Sequence, residues 1–354
     1  MRPWEDEIRK VTPYTPGDQP KIKDIIKLNT NENPYPPAPG VAKKLANLDI
    51  NGFTKYPDPN VGDLVNAIAS FYGLDASEVF VGVGSDDVLA QCFMTYFNSD
   101  KPIFFPDVTY SFYDVWAELF KIPYEMKALD ENFEICAEDY YGENGGIVIA
   151  NPNAPTGLPV TLSFIEDILK HNRDVIVIVD EAYVDFGTES ALSLINKYDN
   201  LVVVQTFSKS RAAAGLRIGY ACGNPELIAA LNAVKQSYNS YTMNYPTIEL
   251  GVEVVNDRAY FEEICKKVIA TREWTKNELS ELGFKFQDSK TNFIFATHPD
   301  FDAKDIFAYL RNHNIIVRYF NKPRIDNYLR ITIGTDAQMN RLVEVLKEFV
   351  KGKK

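Results

Sequence analysis

The stretch VIVIVDEAYVDF (residues 175–186) runs from five consecutive β-branched residues directly into two acids. Such continuous hydrophobicity is typical of a strand buried on both faces of a sheet. Similar runs recur at VFVGVG (79–84), PIFFP (102–106), GIVIAN (146–151), LVVVQTF (201–207) and IGYACG (218–223). Their spacing leaves room for crossover helices, so the sequence predicts an α/β fold with a mostly parallel sheet.

Polar motifs follow several of these runs, where ligands bind in parallel α/β sheets. GVGSDDVLAQCF (82–93) places two glycines and a serine between a predicted strand and a predicted helix. It is either an ordinary capped turn or a phosphate cradle formed by backbone N–H groups at a helix start. It lacks the third glycine of a dinucleotide fingerprint and the lysine of a P-loop, which disfavours a nicotinamide dehydrogenase.

Two ionisable side chains stand at strand ends. Asp180 could be a helix cap, half of an ion pair, or a carboxylate that pairs with a cationic ring. Lys209, in TFSKSRAAAGLRIGY (206–220), could be solvated or could be a buried amine that forms a Schiff base. The small residues after Lys209 let the chain pass close to a ligand, and Ser208 and Arg217 could hold a phosphate.

The chain changes character after about residue 245. A charged helical stretch (260–282) precedes four short strand-like runs, and an amphipathic helix closes the sequence. We therefore predict an N-terminal arm over residues 1–27, a large domain over 28–250 and a smaller α+β domain over 251–354.

Composition excludes several classes of function. The net charge of −12 and the isoelectric point near 4.9 disfavour nucleic acid and anionic membranes as partners. No run of 18 apolar residues is present, and the first residues lack the order of a signal peptide, so a cytoplasmic location is expected. Four dispersed cysteines and three histidines indicate no metal site and no disulfide framework.

The motifs taken together resemble the fold-type-I pyridoxal-phosphate aminotransferases, and within them the histidinol-phosphate branch. The resemblance covers nearly the whole chain, in the order of that family. It rests on PYTPG, LNTNENPYP, YPDP, GVGSDD, PDVTYSFY, NPNAPTG, DEAYVDF, TFSKSRAAAGLRIGY, VR and YLRITIG. It implies a large domain with a mostly parallel seven-stranded sheet sandwiched by helices, a smaller α+β domain, pyridoxal 5′-phosphate as cofactor, and a homodimer.

The resemblance also implies roles for single residues. Lys209 would bind the cofactor covalently at C4′ and move a proton between Cα and C4′. Asp180 would pair with the pyridine nitrogen, Tyr183 would bond the phenolate oxygen, and Tyr110 would stack on the ring. The cofactor phosphate would be held by Ser85, Asp86, Ser208 and Arg217, and by Tyr56 of the partner subunit.

One position departs from the family pattern. NPNAPTG has Ala154 where the family usually has an asparagine that also bonds the phenolate oxygen. Either Tyr183 acts alone, or Asn153 or a water takes that place. The loss of one neutral hydrogen bond amounts to roughly 0.5–1.5 kcal/mol.

The substrate is indicated by residues outside the cofactor motifs. By resemblance, Tyr14, Arg318 and Arg330 would bind the substrate phosphate in one half-reaction and the glutamate carboxylate in the other, although Arg318 could equally be a solvated strand residue. Asn31 would line the imidazole end, or it could be a cap. Two alternatives of the same fold stay open, a threonine-phosphate decarboxylase and a broad aromatic aminotransferase.

Overall fold

The computed structural model describes residues 2–15, 17–20 and 24–353. Parts of the predicted arm, residues 1, 16 and 21–23, lie outside this range, as does residue 354. The helices are α1 Pro39–Ala46, α2 Gly62–Tyr72, α3 Ser85–Tyr96, α4 Tyr113–Phe120, α5 Leu162–His171, α6 Pro225–Tyr238, α7 Tyr245–Asn256, α8 Arg258–Glu281, α9 Ala303–Asn312 and α10 Asp336–Lys353. The strands are β1 Ile26–Leu28, β2 Val79–Gly82, β3 Ile103–Pro106, β4 Tyr124–Lys127, β5 Gly146–Ala150, β6 Val177–Asp180, β7 Leu201–Thr206, β8 Gly219–Gly223, β9 Lys285–Phe286, β10 Phe293–Thr297, β11 Ile315–Tyr319 and β12 Leu329–Thr332.

The larger sheet has seven strands in the order β2-β8-β7-β6-β5-β3-β4. All neighbouring pairs are parallel except the two that involve β8. The prediction of a mostly parallel sheet is therefore confirmed. Sequence reasoning found six of these strands and missed β4, an edge strand whose residues YEMK are not buried.

Alternating side chains of the central strands enter two separate apolar cores. Ile147, Val177 and Val203 pack on one face of the sheet with α2, α5 and α7. Val148 and Ile178 pack on the opposite face with α3, α4 and α6. Burial on both faces accounts for the continuous apolar runs in the sequence.

The smaller sheet has five strands in the order β1-β11-β12-β10-β9. The core between this sheet and helices α8, α9 and α10 holds side chains such as Val268, Leu310 and Leu346. β1 pairs in parallel with β11, so a strand from the start of the chain belongs to the C-terminal sheet. Sequence reasoning predicted no strand there. The domain boundaries at residues 27/28 and 250/251 stay a prediction.

A small cluster joins the two sheets beside the site described below. Val108 and Leu129, from loops of the larger sheet, pack with Phe295 and Ile325 of the smaller one. Within the described residues, no helix is long and apolar enough to cross a membrane.

Candidate active site

The carboxyl ends of several parallel strands surround one cavity of about 190 Å³, here called the inner cavity. Its walls include Ser85, Asp86, Tyr110, Asp180, Tyr183, Ser208, Lys209 and Arg217. Asp180 is the last residue of β6, and the other side chains come from a loop or helix start that follows a strand or precedes β8. The topology of the sheet therefore brings together eight residues that sequence reasoning assigned to the cofactor.

Lys209 is half-buried in this wall. Its Nζ donates to the carbonyl oxygen of Thr30 over 3.3 Å and lies 5.8 Å from the ring centroid of Tyr183. The side-chain amide of Asn33 donates to the Lys209 carbonyl oxygen over 3.0 Å. The primary amine is thus held by a backbone carbonyl at the edge of the cavity, and no carboxylate of the described residues lies within ion-pairing distance of it.

Asp180 is 5% exposed and ends β6. Its Oδ2 accepts a hydrogen bond from the Tyr113 hydroxyl at 2.7 Å, and its Oδ1 accepts from the Ala182 N–H at 3.2 Å. Burial raises the pKa of Asp180 to about 6. The carboxylate is therefore placed where a positive charge in the cavity would stabilise it.

The hydroxyl of Tyr183 is oriented by Asn31, a contact that was not predicted from the sequence. The Asn31 amide donates to the Tyr183 hydroxyl over 2.8 Å. Asn31 has a φ of 56° and is itself bonded to Thr332, whose hydroxyl donates to Asn31 Oδ1 over 3.0 Å. Sequence reasoning gave Asn31 to the substrate, whereas its contact in the structure is with Tyr183.

The opposite end of the inner cavity is a glycine turn with a cation. Gly84 has a φ of 88°, and a Cβ there would lie 2.5 Å from Arg217 Nη2. Gly84 also caps α3 without a side-chain hydrogen bond. Arg217 pairs with Asp86 over 3.3 Å, and the Tyr110 hydroxyl donates to the same carboxylate over 2.7 Å. Helix N–H groups and a guanidinium therefore share this end, which suits an anion.

Ser208 completes this group of polar side chains. It is buried, and its Oγ accepts from the Thr206 hydroxyl at 3.1 Å. The segment between Ser208 and Arg217 turns sharply, because Ala212 and Arg217 both have positive φ values, 52° and 53°.

A larger cavity of about 470 Å³, the outer cavity, adjoins the inner one. Tyr110 and Ala154 line both. Arg318 and Arg330 line the outer cavity and are direct cross-strand partners in β11 and β12. Like charges opposite each other destabilise a sheet, so an anion bound between the two guanidinium groups would stabilise this pair.

Arg330 is held but not neutralised. One guanidinium nitrogen donates to the Asn29 carbonyl oxygen over 3.2 Å, and its Nε is buried without a partner among the described residues. Burial lowers the pKa of Arg330, and the charge of Arg318 acts in the same direction. An unpaired donor of this kind is available to a ligand.

Tyr14 brings the N-terminal segment to the same cavity. It lines the outer cavity, and its ring stacks on Phe112 with the centroids 4.1 Å apart. Tyr14, Arg318 and Arg330, which sequence reasoning grouped as substrate residues, thus share one cavity wall.

Three predicted site residues do not line either cavity, namely Asn31, which bonds Tyr183, and Asn153 and Tyr56. The Asn153 side chain is engaged elsewhere: it accepts from Thr109 over 2.7 Å and donates to the Val108 carbonyl oxygen over 2.9 Å. Tyr56 is 82% exposed and contacts Tyr241. In this single chain, neither Asn153 nor Tyr56 lines the cavity that contains Lys209.

The chain is similar to known proteins over most of its length. Residues 23–346 match the family described as aminotransferase class I and II. The chain belongs to this family. The prediction of an aminotransferase with a fold-type-I architecture is therefore confirmed.

Several relatives of this aminotransferase are similar along its whole length. It is 53% identical over 353 residues to the histidinol-phosphate aminotransferase of Acinetobacter baumannii (strain SDF), covering 99% of this chain and 98% of the relative. It is 50% identical over 347 residues to that of Clostridium botulinum (strain Langeland), covering 98% of both chains. A solved histidinol-phosphate aminotransferase from Sinorhizobium meliloti, in complex with pyridoxal-5′-phosphate, has the same fold with a TM-score of 0.83, 23% identity and coverage of 93% and 92%.

Sequence reasoning missed some residues that shape the aminotransferase site. Tyr113 lies three positions after Tyr110 in the quoted PDVTYSFY motif, yet it is the hydroxyl that bonds Asp180. Thr30 contributes only a backbone carbonyl to Lys209. The role of Tyr113 could have been suspected from the motif. The role of Thr30 could not, because any residue type supplies a backbone carbonyl.

Proposed function

We propose that this aminotransferase exchanges an amino group between L-histidinol phosphate and 2-oxoglutarate, as a step of histidine biosynthesis, with pyridoxal 5′-phosphate in the inner cavity. Full-length relatives at 50–53% identity carry the name of this activity. The two adjoining cavities support it, since one suits a cofactor with an anionic tail and the other suits an anionic substrate.

The residues of the inner cavity fit pyridoxal phosphate in their chemistry. Lys209 offers the amine for covalent attachment, and Asp180 offers a buried carboxylate for the ring nitrogen. Tyr183 offers a phenol for the ring oxygen. The turn at Gly84 and the start of α3 would take the phosphate together with Arg217, whose guanidinium packs so closely on Gly84 that a side chain there would clash with it.

When bound, pyridoxal phosphate supplies an electron sink that stabilises negative charge at the substrate Cα. The Lys209 amine would accept the proton from that carbon, hold it as an ammonium group, and donate it back to the reacting molecule. Asp180 would stay ionised opposite a positive nitrogen, even though burial alone raises its pKa to about 6. Tyr113 and the Ala182 N–H keep that carboxylate in place.

The observation that carries the substrate proposal is the cross-strand pair Arg318 and Arg330 in the outer cavity. Two guanidinium groups and the Tyr14 hydroxyl suit a phosphate dianion better than a single carboxylate. The same pair can hold the second carboxylate of glutamate or 2-oxoglutarate in the other half-reaction. A substrate anchored there would extend toward the wall formed by Tyr110 and Ala154, and so toward Lys209.

A homodimer and a cytoplasmic location are part of the proposal. Tyr56 and Tyr241 are exposed and contact each other, and the side chains of Ile50, Phe53 and Tyr238 are exposed as well. Such exposed side chains support contact with a second copy of the chain, where Tyr56 would reach the phosphate of its partner's cofactor.

The test is a direct assay of the purified protein with added pyridoxal phosphate. We expect glutamate to form when histidinol phosphate and 2-oxoglutarate are supplied, and Lys209→Ala to abolish turnover while Lys170→Ala, an exposed lysine, does not. Threonine phosphate serves as the rival substrate. Release of aminopropanol phosphate without transfer to 2-oxoglutarate would instead establish a decarboxylase, and preference for phenylalanine would establish a broad aromatic enzyme.

A further inference from the structure

A buried polar network lies behind the inner cavity, starting at the residue after Asp180. Glu181 is 1% exposed. Its carboxylate accepts hydrogen bonds from Ser190 Oγ at 2.5 Å, the Ala191 N–H at 2.6 Å and Gln205 Nε2 at 2.7 Å. Glu181 is thereby tied to β7, the strand that leads to Lys209.

The network continues from Gln205 through two phenols to a cation. Gln205 Oε1 accepts from the hydroxyls of Tyr220 at 2.5 Å and Tyr72 at 2.8 Å, and these hydroxyls are 2.7 Å apart. Tyr72 interacts in turn with the guanidinium of Arg211. Arg211 lies two positions after Lys209, and Glu181 directly follows Asp180. The network therefore connects the chain beside Lys209 with the chain beside Asp180.

Arg211 is held tightly in an aromatic slot. It is 3% exposed, and its guanidinium carbon lies 4.3 Å from the ring centroids of Phe71 and Phe261 and 5.3 Å from that of Phe207. Its Nη1 has no hydrogen-bond partner among the described residues. A buried charge of this kind is weak support for stability, since an apolar residue of similar volume often serves as well. Packing alone therefore does not explain why a guanidinium group occupies this position.

The residue between Lys209 and Arg211 is fixed from the other side. Ser210 Oγ donates to Asp185 Oδ2 over 2.5 Å. Asp185 lies in the short helical turn Val184–Phe186, which directly follows Tyr183, and its charge interacts with Arg211. The Lys209 segment is thus attached to the chain that follows Asp180 by two routes, one through Gln205 and one through Asp185.

We propose that Arg211 is a positioning residue for amino transfer, which with Ser210 and Asp185 fixes the Lys209 amine in its place opposite Asp180. The inference rests on the proposed function, because it concerns the proton that Lys209 moves. Without the cation, Ser210 and Asp185 lose the charge that faces them, and the short segment that carries Lys209 gains freedom to shift. Arg211 lines neither cavity, so it can affect the reaction only by positioning other residues, of which Lys209 is two positions away in the chain.

The test compares Arg211→Met and Arg211→Lys with Arg258→Met in the full-length holoenzyme. Arg258 provides a matched control, since its guanidinium carbon lies 3.8 Å from the centroid of the same Phe71 ring but the residue is exposed. One readout is the pH midpoint of the visible absorption band of bound pyridoxal phosphate, measured without substrate. The others are kcat and KM for both substrates and the thermal midpoint.

We expect Arg211→Met to bind cofactor in full stoichiometry, to shift the absorption midpoint by at least half a pH unit, and to lower kcat at least tenfold with KM changed less than twofold. Arg211→Lys should recover part of both changes, and Arg258→Met should show neither. If Arg211→Met lowers only the thermal midpoint, as Arg258→Met would, Arg211 is structural and the proposal fails.

A second variant and the choice of readout each prevent an ambiguous result. If Arg211→Met does not fold, Ser210→Ala decides the question: a shifted absorption midpoint supports the proposal, and an unchanged one overturns it. The absorption midpoint needs no substrate, so it separates this proposal from the proposed function. A wild-type protein that has the band but does not use histidinol phosphate contradicts only the substrate assignment.

Discussion

The Tyr113 hydroxyl donates to Asp180 Oδ2 over 2.7 Å from a position of complete burial. It is the one side-chain hydrogen bond that Asp180 receives within the described residues, and the second contact is a backbone N–H. Two neutral donors offset only part of the desolvation of a carboxylate. A positive charge on a bound ligand would therefore stabilise the buried Asp180 carboxylate.

Asp180 should destabilise the cofactor-free protein at neutral pH. Burial raises its pKa from 3.8 to about 6, which corresponds to about 3 kcal/mol when the group is ionised. Because the folded state takes up the proton first, this penalty shrinks as the pH falls from about 6 toward 4. We expect cofactor-free Asp180→Asn to be more stable than wild type at pH 7.5, with a smaller difference at pH 4.5. Urea unfolding at both pH values checks this, and a difference independent of pH would contradict it.

Ala154→Asn should tighten cofactor binding. Ala154 is 5% exposed and lines both cavities, at the position where the resemblance implies an asparagine that bonds the phenolate oxygen. One added neutral hydrogen bond, roughly 0.5–1.5 kcal/mol, gives about a two- to tenfold lower Kd. Fluorescence titration of cofactor-free protein measures it. Ala154→Leu is the control, since leucine branches at the same carbon but has no amide, and an equal gain there would refute the hydrogen bond.

The loss of Arg318 should weaken the binding of the two substrates to different extents. Arg318→Gln removes one of two cations that face a phosphate dianion, and a charge-assisted hydrogen bond of about 1.5–3 kcal/mol corresponds to about a 10- to 150-fold rise in KM for histidinol phosphate. The rise for glutamate should be smaller, because its carboxylate keeps Arg330. Steady-state kinetics with each substrate decide it, with the exposed Arg341→Gln as control. Equal changes for both substrates would argue against shared anion binding.

Tyr56 should act across a subunit interface. It is 82% exposed and lines neither cavity of its own chain. Separately, Lys209→Ala should be inactive and Tyr56→Phe should bind cofactor more weakly. When the two variants are unfolded together and refolded, mixed dimers should regain one complete site each, and cofactor affinity should return to the wild-type value for that fraction. Failure to recover would mean that Tyr56 does not complete the partner's site.

Arg324 should keep the wall of the outer cavity in place. It donates to Asp107 Oδ2 over 2.6 Å and to the carbonyl oxygens of Leu129 and Asp130 over 2.8 and 2.7 Å. These bonds attach the loop between β11 and β12 to the segments that follow β3 and β4. Arg324→Met should raise KM for both substrates several-fold and leave cofactor Kd unchanged. Asp107→Asn should have a smaller effect, because the two carbonyl contacts remain. A change in cofactor Kd would place the effect elsewhere.

The buried strands were predictable because each one is apolar on both faces. β6 and β7 are buried along their whole length, and their sequences show it. β4 was missed because it lies at the sheet edge with its polar side chains exposed. β1 was missed for another reason: the pairing of Ile26 with Ile315 depends on contacts between the two ends of the chain, which no local pattern contains.

The site was predictable as far as its residue types carry chemistry. For Lys209 and Asp180 the residue types alone left other roles open, such as a solvated lysine or a capping aspartate, and the order of the motifs along the chain assigned these two residues and Arg217 to the cofactor. The Asn31 contact with Tyr183 was not predictable, since the amide acts only through a pairing across 152 positions. Nor did local sequence indicate that Asn153 would turn to the carbonyl oxygen of Val108.

The contacts of Thr30 and Asn31 also bear on how the protein is made. Lys209 reaches across 179 positions to Thr30, and Asn31 across 301 positions to Thr332. A nascent chain whose residue 332 is still inside the ribosome lacks the hydroxyl that orients Asn31, and through it Tyr183. Cofactor capture is therefore expected to follow translation of β12, whatever part of the larger sheet has already formed.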